Sequence, residues 1–198
     1  GKSGIISIDR PGQEVLERTS AFVTEPCVEA RFVMGLPAFG RTVAGTHAEA
    51  MFYEELPQIL QASLFFRNLD RNALYKHISV AEDADFLRGQ LDSLGLVAFV
   101  ADGAILPRAS GVDPRPLTKG RVVAFEPPQS LPVQVQLPNG GAVTGMGIPK
   151  GVTLIVGGGY HGKSTLLRAL ELGVYNHIPG DGRELVVTNP QTIKIRAE

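Results

Sequence analysis

The 198-residue sequence predicts an α/β fold in its carboxy-terminal part, preceded by an α+β domain, and three observations carry the prediction. The run Val152-Thr153-Leu154-Ile155-Val156 is apolar and β-branched, the composition of a strand buried on both faces. Gly157-Gly158-Gly159-Tyr160-His161-Gly162 follows as a glycine-rich loop. Residues 164–173 then read as a helix, with Leu166, Leu167 and Leu170 facing inward and Gly173 as its stop.

The elements upstream are read in order. Residues 4–8 form a short strand, and residues 27–37 a longer one in which Val28, Ala30 and Phe32 alternate with Glu29 and Arg31 until Gly35 and Pro37 end it. Cys27 is read as a small core or strand residue. Residues 45–66 have a helical pattern, with Phe52, Leu56, Ile59 and Leu60 on one face; Pro57 divides it and sits in the first turn of the second piece. Residues 79–95 are predicted helical, with Ser79 and Glu82 at capping-box spacing, Leu87, Leu91 and Leu94 on one face, and Gly95 as the cap. Residues 96–108 are apolar on both sides of Asp102-Gly103, the signal of a tight hairpin.

Six of the 14 prolines fall between residues 107 and 132, which marks a linker. The domain boundary is placed there, giving an amino-terminal domain over 1–127 and a nucleotide-binding portion over 128–198. Beyond it, residues 133–141 read as strand then turn, and residues 144–151 as a loop.

Composition narrows the class. Hydrophobic residues make up 43% and charged residues 20%, as in soluble globular proteins, and no apolar run reaches the ~18 residues of a membrane span. One cysteine excludes an internal disulfide, which favours a reducing, cytoplasmic setting. Net charge is −1, with −3 in residues 1–127 and +2 in 128–198, so neither part is a basic nucleic-acid arm.

Residues 157–164 match G-x-x-x-x-G-K-[ST], the phosphate-binding loop. Such a loop turns successive backbone N–H groups inward around an anion, which needs conformations that side chains resist. The following helix aims its positive end at the same point. Gly157, Gly158, Gly159, Tyr160, His161 and Gly162 form the cradle. Lys163 brings a mobile charge for the β/γ-phosphates and is the candidate catalytic residue. Ser164 offers a hydroxyl to Mg²⁺, and Thr165 reaches the α-phosphate. The expected ligands are ATP and Mg²⁺. A second Gly-Lys-Ser at residues 1–3 precedes a strand and not a helix, so it is not read as a phosphate site.

The long block from Ile148 to Thr188, with "GGGYHGKST" and "YNHIPGDGRE", resembles the ABC-class ATPases, as do "RFVMGLPAFGR", "LVAFVADGAILPRASG" and "TGMGIP" upstream. The resemblance covers nearly the whole chain. It implies an ABC-type P-loop domain behind an accessory domain, acting as a homodimer whose closure is driven by ATP binding and hydrolysis. The family includes a protist mitochondrial RNA-binding member, which makes nucleic acid a possible partner. It also implies that the Walker B carboxylates, the signature and the switch histidine lie beyond residue 198. This chain is accordingly expected to be an internal piece of a larger ATPase and inactive alone. Two residues depart from the usual ABC loop: Tyr160 stands where a glycine is usual, and His161 where a small residue is. Phe125 is the nearest aromatic upstream, with a core or linker role favoured over stacking on adenine. Asp181-Gly182 reads as a hairpin turn, which leaves Asp181 and Glu184 a small chance of a direct nucleotide role, and His177 is read as structural.

Two other readings compete. A P-loop small-molecule kinase shares the strand, loop and helix, but the chain's last 35 residues hold only Arg168, Arg183 and Arg196 for a lid. A nucleic-acid-binding module that dimerises through the ATPase part would present Arg31, Arg41, Arg67 and Arg71.

Overall fold

The computed structural model describes residues 3–196, in two compact units. The first takes in residues up to Arg10 and Glu17–Leu74, the second Pro11–Leu16 and everything from Tyr75 onward. Pro127-Pro128 lies inside the second unit.

The first unit is built of short antiparallel ribbons: β1 (Ile5–Ser7) with β5 (Val33–Gly35), β3 (Ala21–Val23) with β4 (Val28–Ala30), and β6 (Ala38–Phe39) with β7 (Thr42–Val43). The single strand expected over residues 27–37 is therefore two strands in two different ribbons. Cys27 is exposed in the turn between β3 and β4, where Thr24 and Cys27 exchange backbone hydrogen bonds, so it is not a core residue. Helix α1 (Gly45–Ala50) runs into a π-helical turn (Met51–Glu55) and then α2 (Leu56–Leu64), with a proline in the first turn of α2. Pro57 thus makes no break: the turn ahead of it widens instead, as helices do where the regular hydrogen-bond ladder is interrupted. Lys2 lies outside the described residues. Ser3 Oγ accepts a hydrogen bond from the Ala38 N–H and donates one to the Leu36 carbonyl, tying β1 to its neighbours.

Helix α3 (Arg71–Gln90) is longer than predicted. Its cap is Asp70, whose Oδ1 accepts from the N–H groups of Asn72 and Ala73. Ser79 and Glu82 lie in its interior and receive the side chain of Asn139. Leu87 and Leu91 are buried, whereas Leu94 is exposed beyond the helix end.

The second unit has a four-stranded antiparallel sheet in the order β12 (Val186–Thr188), β8 (Leu96–Ala101), β10 (Gly141–Pro149), β9 (Pro132–Leu137). Side chains alternate across it. Phe99 and Ala101 of β8, with Val187 of β12, pack against Ala84 and Leu87 of α3 and Leu91 just beyond its end. Ala98 and Val100, with Val186 of β12 and Met146 and Ile148 of β10, pack against Leu166, Ala169 and Leu170 of α4 (Lys163–Leu172). The sheet is sandwiched between two helices, and each buried Leu, Val or Phe contributes about 1.5–3 kcal/mol.

This arrangement explains why residues 144–151, expected as a loop, belong mostly to β10. Gly145 and Gly147 alternate with Met146 and Ile148. A Cβ on Gly145 would stand 2.4 Å from Phe99 Cζ, and one on Gly147 would stand 2.9 Å from Leu96 Cδ2. The glycines make room for large neighbours on the α3 side, a use of glycine in a strand interior that composition alone reads as a turn.

Asp102-Gly103 turns as predicted, with Gly103 at φ +79°, but no hairpin follows. Instead of folding back on β8, the chain after the turn exchanges backbone bonds with Phe125: Gly103 N–H donates to Phe125 O, and Phe125 N–H to Ala104 O. The two flanks of β8 are taken by β10 and β12. The last ribbon pairs β11 (Asn176–His177) with β2 (Glu14–Val15), so Asp181-Gly182 is not a hairpin turn.

Candidate nucleotide site

Helix α4 carries the site because Leu166, Ala169 and Leu170, at i, i+3 and i+4, fix one face of it on the sheet. Its N-cap is Gly162 in the left-handed conformation, φ +79°, with no capping side chain. The first-turn N–H groups of Lys163, Ser164 and Thr165 accordingly have no intrahelical acceptor and face the loop with the positive end of the helix dipole.

Lys163 folds back over the loop. Its Nζ donates to the Gly157 carbonyl at 2.6 Å and also to the Gly158 carbonyl. The Gly158 N–H donates to His161 Nδ1 at 3.1 Å. Nδ1 is therefore the acceptor nitrogen of that ring, and only Nε2 is left to carry a proton toward a ligand. The ring covers Gly158 closely enough that a Cβ there would lie 3.1 Å from His161 Cε1.

Tyr160 is fully exposed and is the one non-glycine with positive φ (+61°) among the described residues. A glycine suits this position for that reason, and a tyrosine in the left-handed region costs roughly 1 kcal/mol. Tyr160→Asn, which tolerates that region, is expected to raise unfolding stability by about 0.5–1 kcal/mol, read by urea denaturation. An unchanged midpoint would mean that the loop does not hold this conformation in solution.

The strand expected at Val152–Val156 is absent. No strand is assigned over residues 152–158, and Val152, Leu154 and Val156 are exposed. An apolar run becomes a strand only where an edge accepts its backbone groups. The described sheet ends at β12 and β9, and neither pairs with it.

A cavity of about 650 Å³ opens beside the loop, lined by Val123, Phe125, Tyr160, His161, Lys163 and Thr165 among others. Phe125 serves two purposes: it packs against the core under α4 and it lines this cavity, held by its two backbone bonds near the Asp102-Gly103 turn.

Asp181 and Glu184 are engaged elsewhere. Asp181 is wholly buried, and its carboxylate receives both Arg108 guanidinium nitrogens at 2.9 Å. His177 Nδ1 lies 2.8 Å from Asp181 Oδ2, close enough to pair when protonated, though its N–H is not aligned for a hydrogen bond. Glu184 accepts from the Gly180 N–H at 2.6 Å. The partner that sequence reading missed for Asp181 is Arg108, 73 positions away, and no local pattern links the two. Among the described residues no group of three or more His, Cys, Asp or Glu could hold a metal ion.

The arginines proposed for a nucleic-acid surface are largely occupied. Arg31 pairs with Glu29 at 2.6 Å and stacks 4.6 Å from the Phe22 ring; Arg67 and Arg71 lie over Phe65 and Phe66.

Residues 70–198 match the P-loop domain of the ABC-class ATPases, and residues 1–67 match the N-terminal domain of ATPases of the ABC class. The chain belongs to this family. Membership in a P-loop family implies nucleotide binding. An uncharacterized protein of Methanocaldococcus jannaschii is 36% identical to this ABC-class chain over 115 residues, 55% of this chain and 26% of that relative. The chain matches about a quarter of that relative's length. No helix of the described residues is long and apolar enough to cross a membrane.

Proposed function

We propose that this chain holds Mg-ATP on its phosphate loop, and that in the full-length protein ATP binding and hydrolysis drive closure of two subunits. The observation that supports the reading best is Lys163 Nζ folded onto the Gly157 carbonyl at the start of α4. The ammonium already sits at the loop mouth beside three unpaired first-turn N–H groups, and triphosphate oxygens offer it stronger acceptors than carbonyls do. Ser164 presents an exposed hydroxyl in the same turn, suited to a magnesium ion that keeps most of its ligands as water and phosphate oxygens. Bound there, a magnesium ion would neutralise phosphate charge. Thr165 serves the α-phosphate, and the Phe125 side of the 650 Å³ cavity offers an apolar wall for the base.

Hydrolysis needs a carboxylate to place water and metal. Asp181 and Glu184 are committed to Arg108 and to the Gly180 N–H, so neither is free for that role. The test compares the 198-residue chain with one extended to the natural end of its gene. Fluorescent ATP is expected to bind both in a magnesium-dependent way, and only the extended chain is expected to turn ATP over. Turnover by the short chain would overturn the assignment of Asp181 and Glu184; absence of nucleotide binding in both would overturn the whole reading.

A further inference from the structure

A second cavity, of about 730 Å³, lies along another face of α4 and shares Ser164 and Thr165 with the site above. Its lining includes Ser164, Thr165, Arg168, Arg108, Arg183 and Glu14. Lys163 lines the first cavity and is not part of this one, while Thr165 borders both.

Arg183 is 1% exposed. Its Nε donates to the Leu106 carbonyl at 3.1 Å, and Nη2 donates to the same oxygen. Its Nη1 is buried and has no acceptor at all. A buried guanidinium nitrogen left without a partner is costly and uncommon in a native fold. The neighbours do not answer its charge. Arg108 already belongs to Asp181, and Arg168 reaches outward to Glu171 at 2.9 Å. Glu14 is the one acidic lining residue. Burial, and next the adjacent Arg108 charge, push the Arg183 guanidinium down to about 10, with Asp181 and Glu14 opposing the shift and Arg168 adding to it. The first turn of a ten-residue helix and three arginines make the lining rich in donors and poor in acceptors.

We propose that this cavity is a second oxyanion site, taking a phosphate group on the Arg183 guanidinium with Arg168 at its mouth and without Lys163. A phosphate matches the lining because it offers several acceptor oxygens to a donor-rich wall, and it supplies Arg183 with the acceptor that its own chain does not. The source is either free phosphate or the monoester of a small molecule, which the cavity volume admits.

The test uses the 198-residue chain carrying Lys163→Ala, so that the phosphate loop is disabled, with inorganic phosphate and AMP as probes in calorimetry. Saturable binding is expected to persist. Arg168→Ala is expected to weaken it about tenfold, since one charge-assisted hydrogen bond is lost at a half-exposed position that folding tolerates. Glu14→Gln is expected to tighten it severalfold by removing the opposing charge. AMP binding tighter than phosphate identifies a monoester ligand, and equal affinities identify free phosphate. Loss of all binding with Lys163→Ala, or residual binding indifferent to both Arg168→Ala and Glu14→Gln, overturns the proposal. If ATP does not bind the native chain while the Arg168-dependent phosphate does, this site stands and the nucleotide reading falls.

Discussion

Lys163→Ala is expected to weaken Mg-ATP binding on the order of a hundredfold, which corresponds to roughly 2–3 kcal/mol for one charge-assisted contact to phosphate. The figure is a difference between two bound states of the same ammonium. In the free chain Lys163 donates to the carbonyls of Gly157 and Gly158, and it must leave them to reach a β- or γ-oxygen. What ATP gains is therefore the exchange of neutral acceptors for anionic ones. The same reasoning predicts that Lys163→Arg does not rescue binding, because a planar guanidinium fork does not fit where a compact ammonium swings between two carbonyls. Stability should hardly change, since the lysine's partners lie on an exposed loop whose carbonyls water can serve. Titration of a fluorescent ATP analogue into the native and variant chains, with thermal melts alongside, measures both quantities. Unchanged affinity with an unchanged melt would show that the loop does not hold the phosphates through this residue.

Asp181→Ala should lower the stability of the second unit by about 3–5 kcal/mol, the magnitude for removing one partner of a buried ion pair. Asp181 is wholly buried and Arg108 nearly so, its side chain 14% exposed. The guanidinium makes a fork of two 2.9 Å bonds to the carboxylate and a third, also at 2.9 Å, to the Asp181 carbonyl. Deleting the carboxylate leaves Arg108 beside Arg183 without its paired counter-charge, and leaves His177 without the carboxylate 2.8 Å from its Nδ1. Replacing Arg108 and Asp181 together by Met and Leu should recover most of the loss, because the desolvation of both charges disappears with them. The double-mutant cycle in urea reads the coupling directly. A single-variant loss below about 1 kcal/mol would mean that the pair is solvated and does not bind the Arg108 segment to the Asp181 turn.

Much of the candidate site was legible before any coordinates. The order glycine loop, Lys-Ser-Thr, helix specifies α4 and its free N–H groups through local chemistry alone: glycine admits the left-handed φ at Gly162, and Leu166 and Leu170 mark the buried face. The Asp102-Gly103 turn was legible for the same reason. What failed were inferences about pairing. Asp102-Gly103 marks a reversal but says nothing of which strand lies alongside β8, and the tertiary fold gave those edges to β10 and β12. Gly145 and Gly147 looked like loop residues because a sequence does not show that Phe99 and Leu96 occupy the space a side chain would need. The run at Val152–Val156 has strand composition, yet hydrogen bonds to a neighbouring edge, not composition, make a strand.

Short-range rules also misplaced the start of α3. Ser79 and Glu82 have capping spacing, but Asp70 stands where the chain enters the helix from an extended residue, and it holds the cap. The same limit hid the Arg108–Asp181 pair and the orphaned nitrogen of Arg183. Both depend on which distant segments the sheet brings together. The sequence by itself determined the phosphate loop, its helix and the family, since each is written in consecutive residues whose conformational preferences act over a few positions. Only the tertiary structure decided which carboxylates are already taken, which glycines are packing devices, and where a buried cation lacks its anion, because those facts come from long-range burial and Coulomb forces that have no signature along the chain.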